Sequence, residues 1–182
     1  ARYILMERFA EDAELLGALR DFVWQEGQLK VTVVEGKENE GAKFRDYFDH
    51  VEPLRKIPSH RALAILRGRN EGILAYSIVM GDAEEDRRQP HPAEQRIAAH
   101  WRIRDNGRAA DKWLSDVVRW TWRVKLSTQI ETDLIAQVRE AAETEAINVF
   151  AANLKDLLLL APAGPRPTLG LDPGLRTGGK VA

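Results

Sequence analysis

The residues best arranged for chemistry lie near the end of the chain, in Leu169-Gly170-Leu171-Asp172-Pro173-Gly174. A short apolar run delivers one carboxylate into a Pro-Gly turn, and Gly178 lets the chain fold back. An acid held at a strand tip can grip a metal ion or face a phosphate. Metal-assisted phosphodiester cleavage, however, needs two or more carboxylates converging on the ions. No Asp or Glu follows Asp172 before Ala182, so Asp172 is expected to do no catalysis in this chain. The plainer role for it is an aspartate that braces its own turn through side-chain hydrogen bonds.

A second chemistry is offered by residues 101–126, where Trp101, Trp113, Trp120 and Trp122 alternate with Arg102, Arg104, Arg108, Lys112, Arg119, Arg123 and Lys125. Cations among aromatics can grip a single strand through phosphate contacts and base stacking. The tryptophans fall on an apolar helical face, so core packing is the expectation for them. The cations on the opposite face stay available. Arg119 and Arg123, spaced i and i+4, are expected to project together into solvent and to meet phosphates or another domain. Arg108 and Lys112 stand just before them. Arg67 and Arg69, with Arg61 and Asn70, form a smaller basic group at a helix end, where cations also complement the macrodipole. The histidines at 50, 60, 91 and 100 lack the spacing of a zinc site, which needs three or four convergent ligands. No phosphate loop, dinucleotide fingerprint or nucleophile elbow is present, so no cofactor is expected.

The chain has 182 residues, enough for a buried core, and a net charge of −1, which announces no polyanion partner for the surface as a whole. The charge is nevertheless uneven. Residues 101–126 hold seven Lys/Arg against three Asp/Glu, and residues 131–156 hold two against six. Without cysteine there is no disulfide and no thiol-ligated zinc, in keeping with a reducing cytosol. The longest apolar run, Leu157–Ala161, is far short of the ~18 residues of a membrane span, and no membrane partner is expected. Ala1 is not a methionine, and Arg2–Phe9 reads as the inside of an amphipathic helix without a cap. The chain is therefore read as a piece of a larger protein.

The elements that must position these groups are mainly helical. Leu5, Phe9, Leu16, Leu19 and Val23 predict one or two helices over residues 2–26. Leu29–Val34 and Ile73–Met80 predict a small two-stranded β element. Residues 42–48 look helical, and Pro53 and Pro58 bracket an irregular stretch. Ser59 is a good N-cap for a helix that Gly68 would end. The charged segment 82–92 is expected to be a mobile loop, and 91–102 a further helix. Asn106-Gly107 is expected to cap a helix with two apolar rows, one of Trp113, Val117, Trp120 and Val124 and one of Leu114, Val118, Trp122 and Leu126. The first row is expected to be buried together. Thr128 and Glu131 match a capping box and predict a bend or restart. Helical periodicity then runs to about residue 160, where Pro162, Gly164, Pro165 and Pro167 stop it.

Four strings, in order along the chain, resemble the Tex family of bacterial transcription accessory proteins. They are Arg67-Gly68-Arg69-Asn70-Glu71-Gly72, Gly107-Arg108-Ala109-Ala110-Asp111-Lys112-Trp113-Leu114, Val118-Arg119-Trp120-Thr121-Trp122 and Leu169 through Gly178. The resemblance implies a helical N-terminal region with a helix-turn-helix-like part, then a YqgF-type RNase H-like domain, helix-hairpin-helix elements and an OB-fold RNA-binding domain. On that map, 1–161 is the central helical region, 162–167 a Pro-rich linker, and 168–182 the truncated first strand and turn of the α/β RNase H-like domain. Asp172 would be a vestigial acid of that domain. Gly179 stands where the family pattern leads one to expect valine. The resemblance also implies a cytoplasmic protein whose partners are RNA or DNA and the transcription machinery. The expected role is a non-enzymatic scaffold with weak, sequence-independent nucleic-acid binding, through Arg119, Arg123, Arg108, Lys112, Arg67 and Arg69. Two other readings compete: a purely structural inter-domain scaffold, and a fragment of an RNase H-like nuclease or resolvase.

Overall fold

A computed structural model of the chain describes residues 1–81, 90–162, 164–174 and 178–182. It is mainly α-helical with small antiparallel sheets, and it divides into two compact units, Ala1–Ile147 and Asn148–Ala182.

In the first unit, α1 (Arg2–Ala10) and α2 (Ala13–Glu26) meet at Asp12, whose carboxylate accepts the Leu15 N–H at 2.8 Å. That bond satisfies one of the donors a helix start leaves unpaired. It is also the main reason the Asp12 carboxyl titrates below its usual range, with His100 nearby adding to the effect. Leu15, Leu19 and Val23 bury the inner face of α2.

The chain enters β1 (Gly27–Val33) directly, and Leu29 and Val31 alternate into the core. The expected pairing with β3 (Leu74–Met80) is present, with Leu29 opposite Ile78 and Val31 opposite Tyr76. The sheet has three strands, though, not two. A further strand, β2 (Asp49–Pro53), flanks β1 on its other side, with Leu29 opposite Glu52 and Val31 opposite His50. Polar residues and a terminal proline hide it in the sequence; an edge strand tolerates both.

Residues Ala42–Tyr47 form a 3-10 helix where a helix is predicted. Helix α3 (Ser59–Asn70) corrects two expectations about its ends. The Ser59 hydroxyl donates to the Glu145 carboxylate instead of capping. Gly68 lies inside the helix, where a Cβ would sit 2.5 Å from Leu74 Cδ1 and 2.8 Å from Cγ. The glycine is thus a packing choice; the chain turns away from α3 at Gly72, whose φ is +70°.

The loop expected over 82–92 falls mostly on residues 82–89, outside the described residues. Helix α4 (Pro92–His100) is capped by His91, whose Nδ1 accepts the Ala93 N–H at 3.1 Å.

From Asp111 the backbone stays helical through α5 (Asp111–Trp120), a π-helical turn (Thr121–Leu126) and α6 (Ser127–Leu158). Asn106 and Gly107 do not cap α5. Gly107, with φ +76°, only turns the chain, and Asp111 organises the helix start. The Thr128–Glu131 capping box is not made either. The Thr128 carbonyl accepts the Thr132 hydroxyl at 2.8 Å, and Glu131 accepts the Ile78 N–H at 3.4 Å. The irregularity the sequence suggested lies just upstream, as the π turn.

That turn overturns the expected burial of Trp113, Val117, Trp120 and Val124 as one row. Val117 is fully buried and Trp113 half-buried, but Trp120 is 48% exposed and Val124 53%. The core takes Val118, Trp122, Leu126, Ile130, Leu134, Val138 and Ala142. These step by four, and the wider π turn holds Leu126 and Ile130 on the core side where a regular helix would rotate them outward.

The second unit comprises the last turns of α6, the Pro-rich segment and a short hairpin. Strand β4 (Leu171–Pro173) pairs antiparallel with β5 (Gly179–Val181), placing Asp172 opposite Lys180 and Gly179 opposite Pro173. Leu175, Arg176 and Thr177 of the turn lie outside the described residues.

Candidate nucleic-acid interface

Asp111 is 1% exposed at the start of α5, among polar partners. It accepts the backbone N–H groups of Asn106 at 2.8 Å and Arg108 at 3.0 Å, and the Arg108 guanidinium at 2.8 Å. The Arg108 side chain, then these backbone donors, hold its carboxyl down at about 2; reciprocally, the Arg108 guanidinium is raised. Arg108 therefore helps to build the loop before α5, with 67% of its side chain still exposed.

Lys112, Arg119 and Arg123 follow at spacings of seven and four, which places them on one side of the helix with Asp116 between them. The line spans about 16 Å at 1.5 Å per residue. Lys112 is exposed. Arg119 lies 3.7 Å from Asp116, a loose pair with half its side chain open. Arg123 donates through Nε to Glu94 at 3.3 Å while 61% of its side chain stays exposed. Glu94 is 5% exposed, so Arg123 neutralises a buried acid of α4 and offers its remaining N–H groups outward.

Behind Arg123 the His91 ring stacks on Trp122, with centroids 5.0 Å apart and planes 25° from parallel. Burial pushes the His91 pKa down; Glu94 opposes this, and Arg123 reinforces it. The Thr121 hydroxyl bonds back to the Val117 carbonyl at 2.8 Å. The cationic line thus rides on a helix anchored from behind.

Arg67 and Arg69 stand apart from this line, in the last turn of α3, with the Arg69 guanidinium 5.5 Å from the Tyr76 ring centre. Asp172 is exposed in the second unit's hairpin. Among the described residues no group of three or more His, Asp or Glu side chains is placed to hold a metal. His50 pairs with Glu52 at 2.9 Å, and His100 with Asp12 at 3.3 Å. Sequence reading missed Asp111, whose only signal was an acid in a first helical turn, three residues after Arg108. It also missed Glu94 and the exposure of Trp120, neither of which leaves a pattern in one sequence.

A mainly helical domain with a small sheet, carrying a cationic line on its long helix, is the class that fold and site define. Residues 1–150 match the Tex central region-like family, and the chain belongs to that family. It is 59% identical to Protein YhgF of Escherichia coli over 182 residues and 54% identical to the transcriptional accessory protein Tex of Neisseria gonorrhoeae over 182. It is 27% identical over 188 residues to the human S1 RNA-binding domain-containing protein 1. All of this chain is covered in each comparison, but only 24% of the two bacterial relatives and 18% of the human one. Among the described residues no helix is long and apolar enough to cross a membrane.

Proposed function

We propose that this chain is the central helical scaffold of a cytoplasmic, transcription-associated accessory protein, and that it adds weak, sequence-independent attraction for RNA or DNA. The transcription role is supported by the Neisseria relative's name, and a nucleic-acid partner by that of the S1 RNA-binding relative. The observation that carries the second half is the line of Lys112, Arg119 and Arg123, open to solvent on a helix whose other side is core. Phosphate neutralisation by such a line needs no sequence-specific contact. On this reading residues 1–161 are the scaffold, 162–167 a linker and 168–182 the opening of a YqgF-type domain. Asp172 performs no chemistry here, because one carboxylate does not assemble a cleavage site.

The test is fluorescence anisotropy of labelled RNA and DNA with the 182-residue chain across a salt series. Lys112→Gln/Arg119→Gln is the informative variant; Arg123 is left in place because it also neutralises Glu94. Affinity should fall steeply with salt in the wild type, and loss of two phosphate contacts should flatten the log–log slope by about 1.8 on duplex DNA and about 1.4 on single strands. Equal slopes would clear this face of the role. Absence of binding by either protein would leave a purely structural scaffold.

A further inference from the structure

The tryptophans around the cationic line have different fates. Trp101 stacks on Phe9 at 4.8 Å, Trp122 lies under His91, and Trp113 is half-buried against the core. Trp120 is the exposed one of these four, at 48%, and among the described residues no ring stacks on it. It sits between Arg119 and Thr121 at the start of the π turn, one helical turn before the exposed Val124.

We propose that Trp120 is a stacking platform for an unpaired base, so that this face takes single-stranded nucleic acid in preference to duplex. The proposal rests on the nucleic-acid reading above and names its substrate class. An indole face accepts any base, because every base has a π surface, and cations beside it take the phosphates on either side. Here Arg123 stands at the indole's i+3 position with its side chain 61% exposed, and Arg119, 53% exposed, projects about a quarter-turn of the helix away. Three cations against two carboxylates, Asp116 and the buried Glu94, leave the line net positive. The platform is also stiff: Val117, Val118, Thr121 and Trp122, on the other side of the same turns, are all buried. Little backbone freedom is left to lose on binding.

A duplex gains only the phosphate part of this interaction, since its bases are already stacked on one another. A protein partner fits the face less well. Its exposed large apolar side chains are Trp120 and Val124, with charged residues around them, whereas the buried centre of a protein interface is depleted of charge.

The experiment compares a labelled single strand with a duplex of the same length, against the wild-type chain, Trp120→Ala, Trp120→Phe and Lys112→Gln/Arg119→Gln, at low salt. Thermal melting of each variant confirms folding. The wild type should prefer the single strand. Trp120→Ala should lower single-strand affinity at least about fivefold, the lower end of the stacking range, and duplex affinity less than about twofold. Trp120→Phe should keep most of the preference. Equal losses on both substrates, or no loss on either, would overturn the platform while leaving the phosphate-binding face intact. If the Lys112/Arg119 variant binds both substrates like wild type, the underlying reading fails first. If the folded wild type binds neither, both fall, and the exposed indole belongs to a protein contact.

Discussion

Asp111 and His91 are single residues that the fold holds deprotonated, the first charged and the second neutral. Asp111 is ionised against four hydrogen bonds from Asn106 and Arg108, so its folded pKa, about 2, lies below the 3.8 of a free side chain. Its contribution is complete above about pH 4 and is lost as pH falls towards 2. Asp111→Asn should lower the melting temperature at neutral pH and flatten the acid limb of the stability curve; thermal melts against pH check this. His91 is held neutral by burial and by its role as acceptor for Ala93, with Trp122 stacked on it and Glu94 and Arg123 the nearest charges. A lowered folded pKa gives stability that is present above the unfolded value, about 6.5, and is lost as pH drops through it. The melting temperature should therefore begin to fall as pH drops below about 7. In His91→Asn, which keeps a cap acceptor but does not titrate, that component should vanish; an unchanged slope would show that His91 carries none of it.

At the scale of elements, the helix from α5 into α6 carries the sharpest contrast. Trp122→Ala should cost about 3–5 kcal/mol as a core aromatic, and Trp120→Ala less than about 1 kcal/mol, measured by denaturant unfolding. Equal costs would refute the assignment of faces. The sequence showed that this helix exists, because two apolar rows at three-and-four spacing announce it. It did not show which row is core. Both rows contain tryptophan and valine, and the choice depends on one π turn, which no propensity marks. The same holds for the sheet. Leu29 and Val31 alternate as a strand must, so β1 and its partner β3 were legible; His50, Glu52 and Pro53 carry no apolar alternation, so β2 was not. Of the candidate interface, the cations were readable from charge and spacing. The ties that restrict Arg108 to Asp111 and Arg123 to Glu94 are long-range or loop-built and were hidden.

Taken whole, the molecule has a net charge of −1, and its cationic line is a local feature on one helix, so salt should govern any attraction it exerts. Its first unit depends on one continuous helical backbone keeping Val118 through Ala142 on the core side. The π turn bears on how that backbone tolerates a change of length. A π turn is an α-helix that has absorbed one additional residue, so this helix holds a residue to spare. Each residue adds about 100° of rotation, and a deletion elsewhere would swing everything after it off the core. Deleting the exposed Val124 should instead let residues 121–126 relax into ordinary α-helix, with Leu126, Ile130 and Leu134 still in phase. Deleting Gln137, also exposed, has no such slack nearby and should force either Val138 and Ala142 or the residues before them into solvent. The first variant should remain folded by circular dichroism, with a modestly changed midpoint, and the second should lose cooperative unfolding. The chain would then tolerate a shortened helix at the very turn that looks most irregular.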